Sequence, residues 1–399
     1  MMSTVFSNRI LNTKKSFIRE ILKVTSNNEI ISFAGGLPNP ISFPIPALEA
    51  SIQNIIHTQG ASVFQYATTE GYLPLREYIA SRYKARHGLD IEPKHILITS
   101  GSQQALDLLG KILVNEGDEV LVEKPSYLGA IQSLCMNEPK FLEVNLGQAG
   151  PDVKELEEIF AHHVPKLFYT VPNFQNPTGL TYSLETRQAL GQLLSDKDTV
   201  LIEDDPYGEL RFVGKDLPYS GSFGAKRSVL LGSFSKIVTP GMRMGWICTK
   251  DEEIMDKLIT AKQAADLHTN YFSQVVIHDY LAHNDLDAHI KEIKALYLKQ
   301  RNAMLESIKT YFPKNVHVTE AEGGMFLWVT LPSYLSALEL FDLASKANVA
   351  FVPGEPFYAN KIETNTLRIN YTNSDPDTIQ EGIKRLATAI ETLEKKHTL

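Results

Sequence analysis

A lysine closes what otherwise reads as a buried strand. In "SVLLGSFSKIVTPGMRMGW" (228–246), the apolar run Val229 to Leu231 passes through Gly232 and two serines to Lys236, and Arg243 follows among glycines and methionines. An amine partly buried at a strand end, with a cation nearby, is pushed toward its neutral, nucleophilic form. The plain alternative is a lysine capping a surface loop. Two other segments carry groups that could work with such an amine. In "TVLIEDDPY" (199–207) the even positions Val200, Ile202 and Asp204 share one strand face. Asp204 therefore points with the apolar set and needs a cationic partner, such as a protonated heterocyclic nitrogen, to stay ionised. Tyr207, just past Pro206, could exchange a hydrogen bond with a phenolate. "QNPTG" (175–179) offers the Asn176 amide to an oxyanion, in a turn shaped by Pro177 and Gly179. An exposed acidic loop and a common Asn-Pro turn are the alternatives at these two places.

"TSGSQQALDLL" (99–109) is a strand, a turn of small residues and a helix. Backbone N–H groups at the helix start, with Ser102 and Gln103, would make an anion pocket, although an ordinary helix N-cap has the same pattern. GxxxxGK[ST] is absent and no GxGxxG follows a strand, so a phosphate fits this turn better than ATP or NAD.

The elements that must position these groups alternate along the chain. Strands are predicted at 94–100, in "DEVLVEKP", and at 166–172, 199–205 and 228–234, with helices at 104–117 and 183–196 between them. Such alternation predicts βαβ crossovers and a mainly parallel sheet covered on both faces, with ligands at the carboxyl ends of the strands. Five strands each end in a polar cluster: "SGSQQ", Ser126-Tyr127, "NFQNPTG", "DDPY" and "SFSK". In a parallel sheet all five converge on one rim, which predicts a site there. From a long helix at roughly 283–311 onward, through "GGMFLWVTL" (323–331), a helix near 335–346, "VAFVPG" (349–354) and "NTLRINYT" (365–372), the pattern predicts a smaller α+β unit joined by the N-terminal residues. In "NTLRINY" Leu367 and Ile369 face one way, Arg368 and Asn370 the other.

Composition excludes several classes. The 399 residues are 43% apolar and 22% charged, with a net charge of −8, which gives no basic footprint for nucleic acid. No apolar run approaches the roughly 18 residues of a membrane span, and the N-terminus shows no secretory h-region. Two cysteines outside any CxxC pair, Cys135 and Cys248, fit a reducing cytoplasm. The eleven histidines show no metal-ligand spacing, and the adjacent His162 and His163 read as a solvated helix end, so no metal is expected.

The ordered set "SFAGGLPNP", "QYATTEGYLPLR", "ITSGSQQALDL", "EKPSYLGAIQ", "NFQNPTG", "EDDPYGEL", "GSFSKIVTPGMRMGW", "KQAADLHT", "GGMFLWV", "FVPGEPF" and "LRINYTN" resembles the fold-type-I, class I/II pyridoxal-phosphate aminotransferases. It is especially similar to the 2-aminoadipate and kynurenine aminotransferase branch, over residues 32–372. The resemblance implies an α/β fold with a large domain built on a mainly parallel seven-stranded sheet and a smaller α+β domain. The expected division is an N-terminal segment 1–50, a cofactor domain 51–294 and a small domain 295–399.

It implies Lys236 as the Schiff-base lysine and Asp204 as the partner of the pyridine nitrogen. Tyr207 and Asn176 would meet the ring oxygen and Tyr127 would stack on the ring. Ser102, Gln103, Ser233, Ser235 and Arg243 would cradle the phosphate, with Tyr66 lent by the second subunit of a homodimer. His268 lies near the same interface without an assigned role. Arg368 would bind the substrate α-carboxylate, with the backbone at Gly36 approaching it. In "KSFIREILKVT" (15–25), helix-like by pattern, Arg19 is either a solvated arginine or the clamp for a distal carboxylate, the role the resemblance implies.

The function implied is a ping-pong transaminase moving the amino group of 2-aminoadipate, glutamate, or leucine-like and aromatic donors to 2-oxoglutarate. A β-lyase of the same fold is the alternative. A regulator's binding module or a carrier is less well supported, because only about 30 residues precede "SFAGG" and Lys236, Asp204 and Arg368 are all present.

Overall fold

The computed structural model describes residues 5–13, 29–360 and 362–397. Its large sheet contains β1 (Ile96–Thr99), β2 (Glu119–Lys124), β3 (Lys140–Gly147), β4 (Gly150–Pro151), β5 (Leu167–Thr170), β6 (Val200–Asp204), β7 (Ser228–Ser233) and β8 (Gly245–Cys248). Their order across the sheet is β1-β8-β7-β6-β5-β2-β3-β4. Strands β2, β3, β5, β6 and β7 are mutually parallel. β8 is antiparallel to both β7 and β1, so β1 runs with the parallel set. The expected seven strands are joined by an eighth, β4, which folds back on the edge strand β3 by the pairs Leu146–Pro151 and Gly147–Gly150.

Burial of the sheet on both faces explains why its strands read as unbroken apolar runs. Every residue of β1, β5, β6 and β8 is buried. Leu167, Tyr169, Val200 and Ile202 face one core, while Phe168 and Leu201 face the other. The helix after β1, Ser102–Leu113, buries Ala105, Leu106, Leu108 and Leu109 against the sheet. It stops short of the expected residue 117 because Val114 turns extended and the Asp118 carboxylate accepts from Asn115 N, closing a turn. The expected helix at 283–311 is present as Leu286–Tyr311, and a separate helix, Tyr271–His283, ends just before it. Asn284 is extended, and the Asp285 carboxylate caps Leu286–Tyr311 by accepting from Asp287 N and Ala288 N.

A second sheet pairs Phe326–Thr330 with Thr366–Asn370 in antiparallel register, with His317–Val318 and Val352–Pro353 on its edges. The N-terminal stretch lies on it: Ile31–Ser32 pairs parallel with Val349–Ala350, and Asn370 N donates to Phe33 O. The loop after β5 meets the second sheet at Gly179, whose φ is +72° and whose missing Cβ would lie 2.5 Å from Phe326 O. Gly179→Ala should therefore cost about 1–3 kcal/mol, read as a lower urea midpoint at unchanged slope. An unchanged midpoint would show that the approach is not tight.

Candidate active site

The carboxyl ends of β1, β2, β5, β6 and β7 share one rim, as the polar clusters require. The reversed strand β8 begins on that same rim, so the segment entering it delivers Arg243 where its neighbours deliver their last residues. A cavity of about 240 Å³ opens there. Every expected site residue except Tyr66 and Arg19 lines it. Tyr66 is 79% exposed, with its ring edge-on to His268 at 5.9 Å. Arg19 lies outside the described residues.

Lys236 follows β7 in a tight turn in which Ile237 N and Val238 N donate to Phe234 O. Its Nζ donates to Gly36 O at 2.9 Å. Burial pulls the amine down to about 8, helped by the cations Arg368 and then Arg243. Arg243 was the expected neighbour, but Arg368 contributes more.

Asp204 is 2% exposed and its Oδ2 accepts from Tyr169 Oη at 2.9 Å. Its Oδ1 and the neighbouring Ser102 Oγ are buried with no hydrogen-bond partner at ordinary geometry. Burial pushes the carboxyl up to about 7, against the pull of the Tyr169 hydroxyl; the adjacent Asp205 adds to the rise. Asp205 itself is spoken for, accepting from Gly208 N at 2.8 Å and Tyr219 Oη at 2.7 Å.

Across the cavity, Arg368 is 1% exposed. It donates from Nη1 to Asn176 Oδ1 at 2.8 Å and from Nη2 to Ala34 O at 2.7 Å. Its guanidinium lies 4.3 Å from the Phe326 ring centre and 5.1 Å from that of Phe357. Burial lowers it to about 10. Asn176 Nδ2 donates to Tyr207 Oη at 3.5 Å, and burial raises the Tyr207 phenol. Tyr127 precedes the helix Leu128–Cys135 and forms another wall.

The remaining polar residues gather around the start of the Ser102–Leu113 helix. Gln103 Nε2 donates to Gly129 O at 2.8 Å, and Ser233 Oγ both donates to Ser235 Oγ at 2.9 Å and accepts from Ser235 N at 3.1 Å. Arg243 Nη2 donates to Ser100 O at 3.1 Å. Gly101, at φ +80°, leaves room for this guanidinium, since a Cβ would sit 2.6 Å from Nη2. A helix N-terminus, hydroxyls and a guanidinium form a phosphate-binding donor set.

Tyr169, Val171 and Pro206 also line the cavity and were not read from the sequence. Tyr169 pairs with Ile202 in register. This puts its hydroxyl on the Asp204 face, a fact available only once strand order is known. Phe326 and Phe357 fall within "GGMFLWV" and "FVPGEPF" without an assigned role. Among the described residues no group of three or more His, Cys, Asp or Glu side chains could hold a metal.

The sequence profile described as "Aminotransferase class I and II" matches residues 38–386. The chain belongs to the class I and II aminotransferases. It is 42% identical to a 2-aminoadipate transaminase of Thermus thermophilus, over 95% of this chain and 94% of that one. It is 41% identical to aromatic-amino-acid aminotransferase 1 of Thermococcus litoralis, over 98% and 95%. A crystal structure of the α-aminoadipate aminotransferase of Thermus thermophilus, complexed with N-(5′-phosphopyridoxyl)-L-leucine, superposes with a TM-score of 0.91 at 40% identity, over 98% of both chains.

This aminotransferase works with pyridoxal 5′-phosphate, and its cavity fits that group. The buried Asp204 Oδ1, which has no hydrogen bond of ordinary geometry and only the weaker pull of the Ser102 hydroxyl, calls for a cationic N–H, and Ser102 lies among the phosphate-type donors.

Two outcomes follow from this geometry. In the cofactor-free aminotransferase, labelling of Lys236 by an amine-selective reagent should rise with pH through a midpoint near 8, because only the neutral amine reacts. Arg368→Gln should move that midpoint upward by removing a cation; a midpoint near an ordinary lysine's, about 10.4, would refute the burial argument. Tyr169→Phe should lower kcat/KM about 3- to 10-fold by taking from Asp204 the stronger of the two hydroxyls that hold it, Tyr169 and Ser102, and unchanged turnover would make that bond ornamental.

Proposed function

We propose that this aminotransferase accepts both acidic donors (2-aminoadipate, glutamate) and leucine-like or aromatic ones, with 2-oxoglutarate as the usual acceptor, by a ping-pong route through one site. The observation that carries the reading is that Lys236, Asp204 and Arg368 border the same cavity. Together they are an amine for the reacting carbon, a carboxylate for a ring nitrogen and a buried fork for a carboxylate. The relatives named for 2-aminoadipate and for aromatic amino acids support both halves of the donor range.

When bound, pyridoxal phosphate supplies the aldehyde that exchanges the amino group and a ring that draws off the electron pair left by the departing Cα proton. The chain's residues do the rest. Lys236 would anchor the cofactor, and its Nζ, free again when substrate is bound, would take the proton from Cα and deliver it to the carbon that carried the aldehyde. Asp204 would hold the ring nitrogen in its protonated form. Tyr207 and Asn176 would hydrogen-bond the ring oxygen, with Tyr127 against the ring face. Ser102, Gln103, Ser233, Ser235 and Arg243 would hold the phosphate. Arg368, with the Gly36 backbone beside it, would fix the α-carboxylate. Arg19 would take the distal carboxylate of acidic substrates.

The enzyme works as a cytoplasmic homodimer in this reading, with Tyr66 reaching the phosphate of the other subunit; its 79% exposure supports that. Residues 51–294 form the cofactor domain and 295–399 the small domain, which residues 1–50 join. Among the described residues no helix is long and apolar enough to cross a membrane.

Borohydride should fix the cofactor to Lys236, and Lys236→Ala should abolish turnover; label on another peptide would refute the assignment. Asp204→Ala should lose far more turnover than cofactor. A panel of amino acids against 2-oxoglutarate tests the donor range. Pyruvate and ammonia released from a β-substituted donor without any oxoacid would instead show a lyase. Within that panel Arg19→Ala should weaken acidic donors about ten- to hundredfold, leaving leucine within a few fold. A uniform fall across both classes would remove Arg19 from the specificity reading.

A further inference from the structure

Glu123 is a fully buried carboxylate, with no cation in an ion pair with it among the described residues, at the end of β2. Such a group is costly unless its oxygens are filled by donors. Glu123 Oε1 accepts from Val171 N at 3.0 Å and from Tyr182 Oη, and its Oε2 accepts from Gln175 Nε2 at 2.7 Å. All three donors belong to the stretch 171–182, which follows β5 and carries Asn176. Gln175 extends the brace. Its Nε2 also donates to Pro125 O at 2.8 Å, while its Oε1 accepts from Thr178 N at 2.9 Å and Thr178 Oγ1 at 2.6 Å. The loop is thus tied to the end of a neighbouring strand immediately before Asn176, the residue between Tyr207 and Arg368.

We propose that Glu123 is a positioning residue of transamination, holding the 171–182 loop so that Asn176 keeps its place between Tyr207 and Arg368. The proposal rests on the role assigned to Asn176 above. Its chemistry is one of matching: three donors converge on a carboxyl and favour its acceptor-only, ionised form against burial, which pushes it up to about 7. Glu123→Gln keeps the shape but introduces an NH2 that must face either the Gln175 amide or the Val171 N–H and Tyr182 hydroxyl. Gln175 cannot turn its amide over to accept, because its oxygen already takes both Thr178 donors. The loop must move, and Asn176 with it.

The test is a double-mutant cycle on the holoenzyme with Glu123→Gln and Asn176→Ala. Each single variant should lower kcat/KM about ten- to hundredfold, and the double variant should lose little more than the worse single one. A second readout is the pH midpoint at which the visible absorption of the bound cofactor changes. A lost amide donor disfavours the anionic form of its acceptor, so both single variants should move that midpoint upward. Losses that multiply in the double variant, or a midpoint moved by Asn176→Ala alone, overturn the proposal and leave the reading of Asn176 standing. A neutral Asn176→Ala overturns both. If Glu123→Gln fails to fold, Tyr182→Phe removes one donor at nearly constant volume. Its smaller loss, about 3- to 10-fold, is judged by the same cycle.

Discussion

A guanidinium almost free of water, with no carboxylate beside it, sets the terms for this site. Arg368 is compensated by two oxygen acceptors and by the faces of two phenylalanines, and it enters no ion pair among the described residues. Dipoles and π faces offset only part of the cost of burying a charge. What remains is a standing preference for an incoming anion. The same charge lowers Lys236 more than Arg243 does. The arginine that receives substrate thus also adjusts the amine that reacts with it. Its contacts come from the N-terminal stretch, the Asn176 loop and the second sheet, so the preference exists only when all three are assembled.

Sheet polarity explains how so many short-range groups reach one point. Parallel strands deliver their carboxyl ends to a single rim, and a reversed strand adds a residue that precedes it. Ser102, Asn176, Asp204 and Lys236 sit at strand exits, whereas Arg243 sits at a strand entrance. A uniformly parallel sheet would have carried the entering segment to the opposite edge.

Much of this was legible in the residues. Periodicity and the polar clusters at strand ends implied a parallel sheet with a site on its rim, and alternation put Asp204 on the face where it lies. The ordered motifs implied the family and nearly the whole cavity lining. What was not legible depended on register or on distant packing. Tyr169 reads as one more aromatic in an apolar strand until β5 is laid beside β6. Arg368 is separated from Asn176 by most of the C-terminal half, so local pattern could not show it as the main neighbour of Lys236. The helix Tyr271–His283 was not read, although the start of the one after it was placed within three residues, where the Asp285 carboxylate caps it. The edge strand Gly150–Pro151 is too short to carry any alternation.

The N-terminal stretch gives backbone oxygens to both working cations: Ala34 O to Arg368 and Gly36 O to Lys236. On Arg368, the cation assigned to the substrate carboxylate, the protein therefore carries its own competitor, the Ala34 carbonyl, present at a high effective concentration. Affinity for a carboxylate is then a difference, the strength of its contacts less that of the peptide carbonyl it displaces. A carboxylate wins that exchange because charge-assisted bonds exceed neutral ones. An uncharged molecule of the same shape would have little with which to evict the carbonyl, so discrimination begins before any reacting atom is reached.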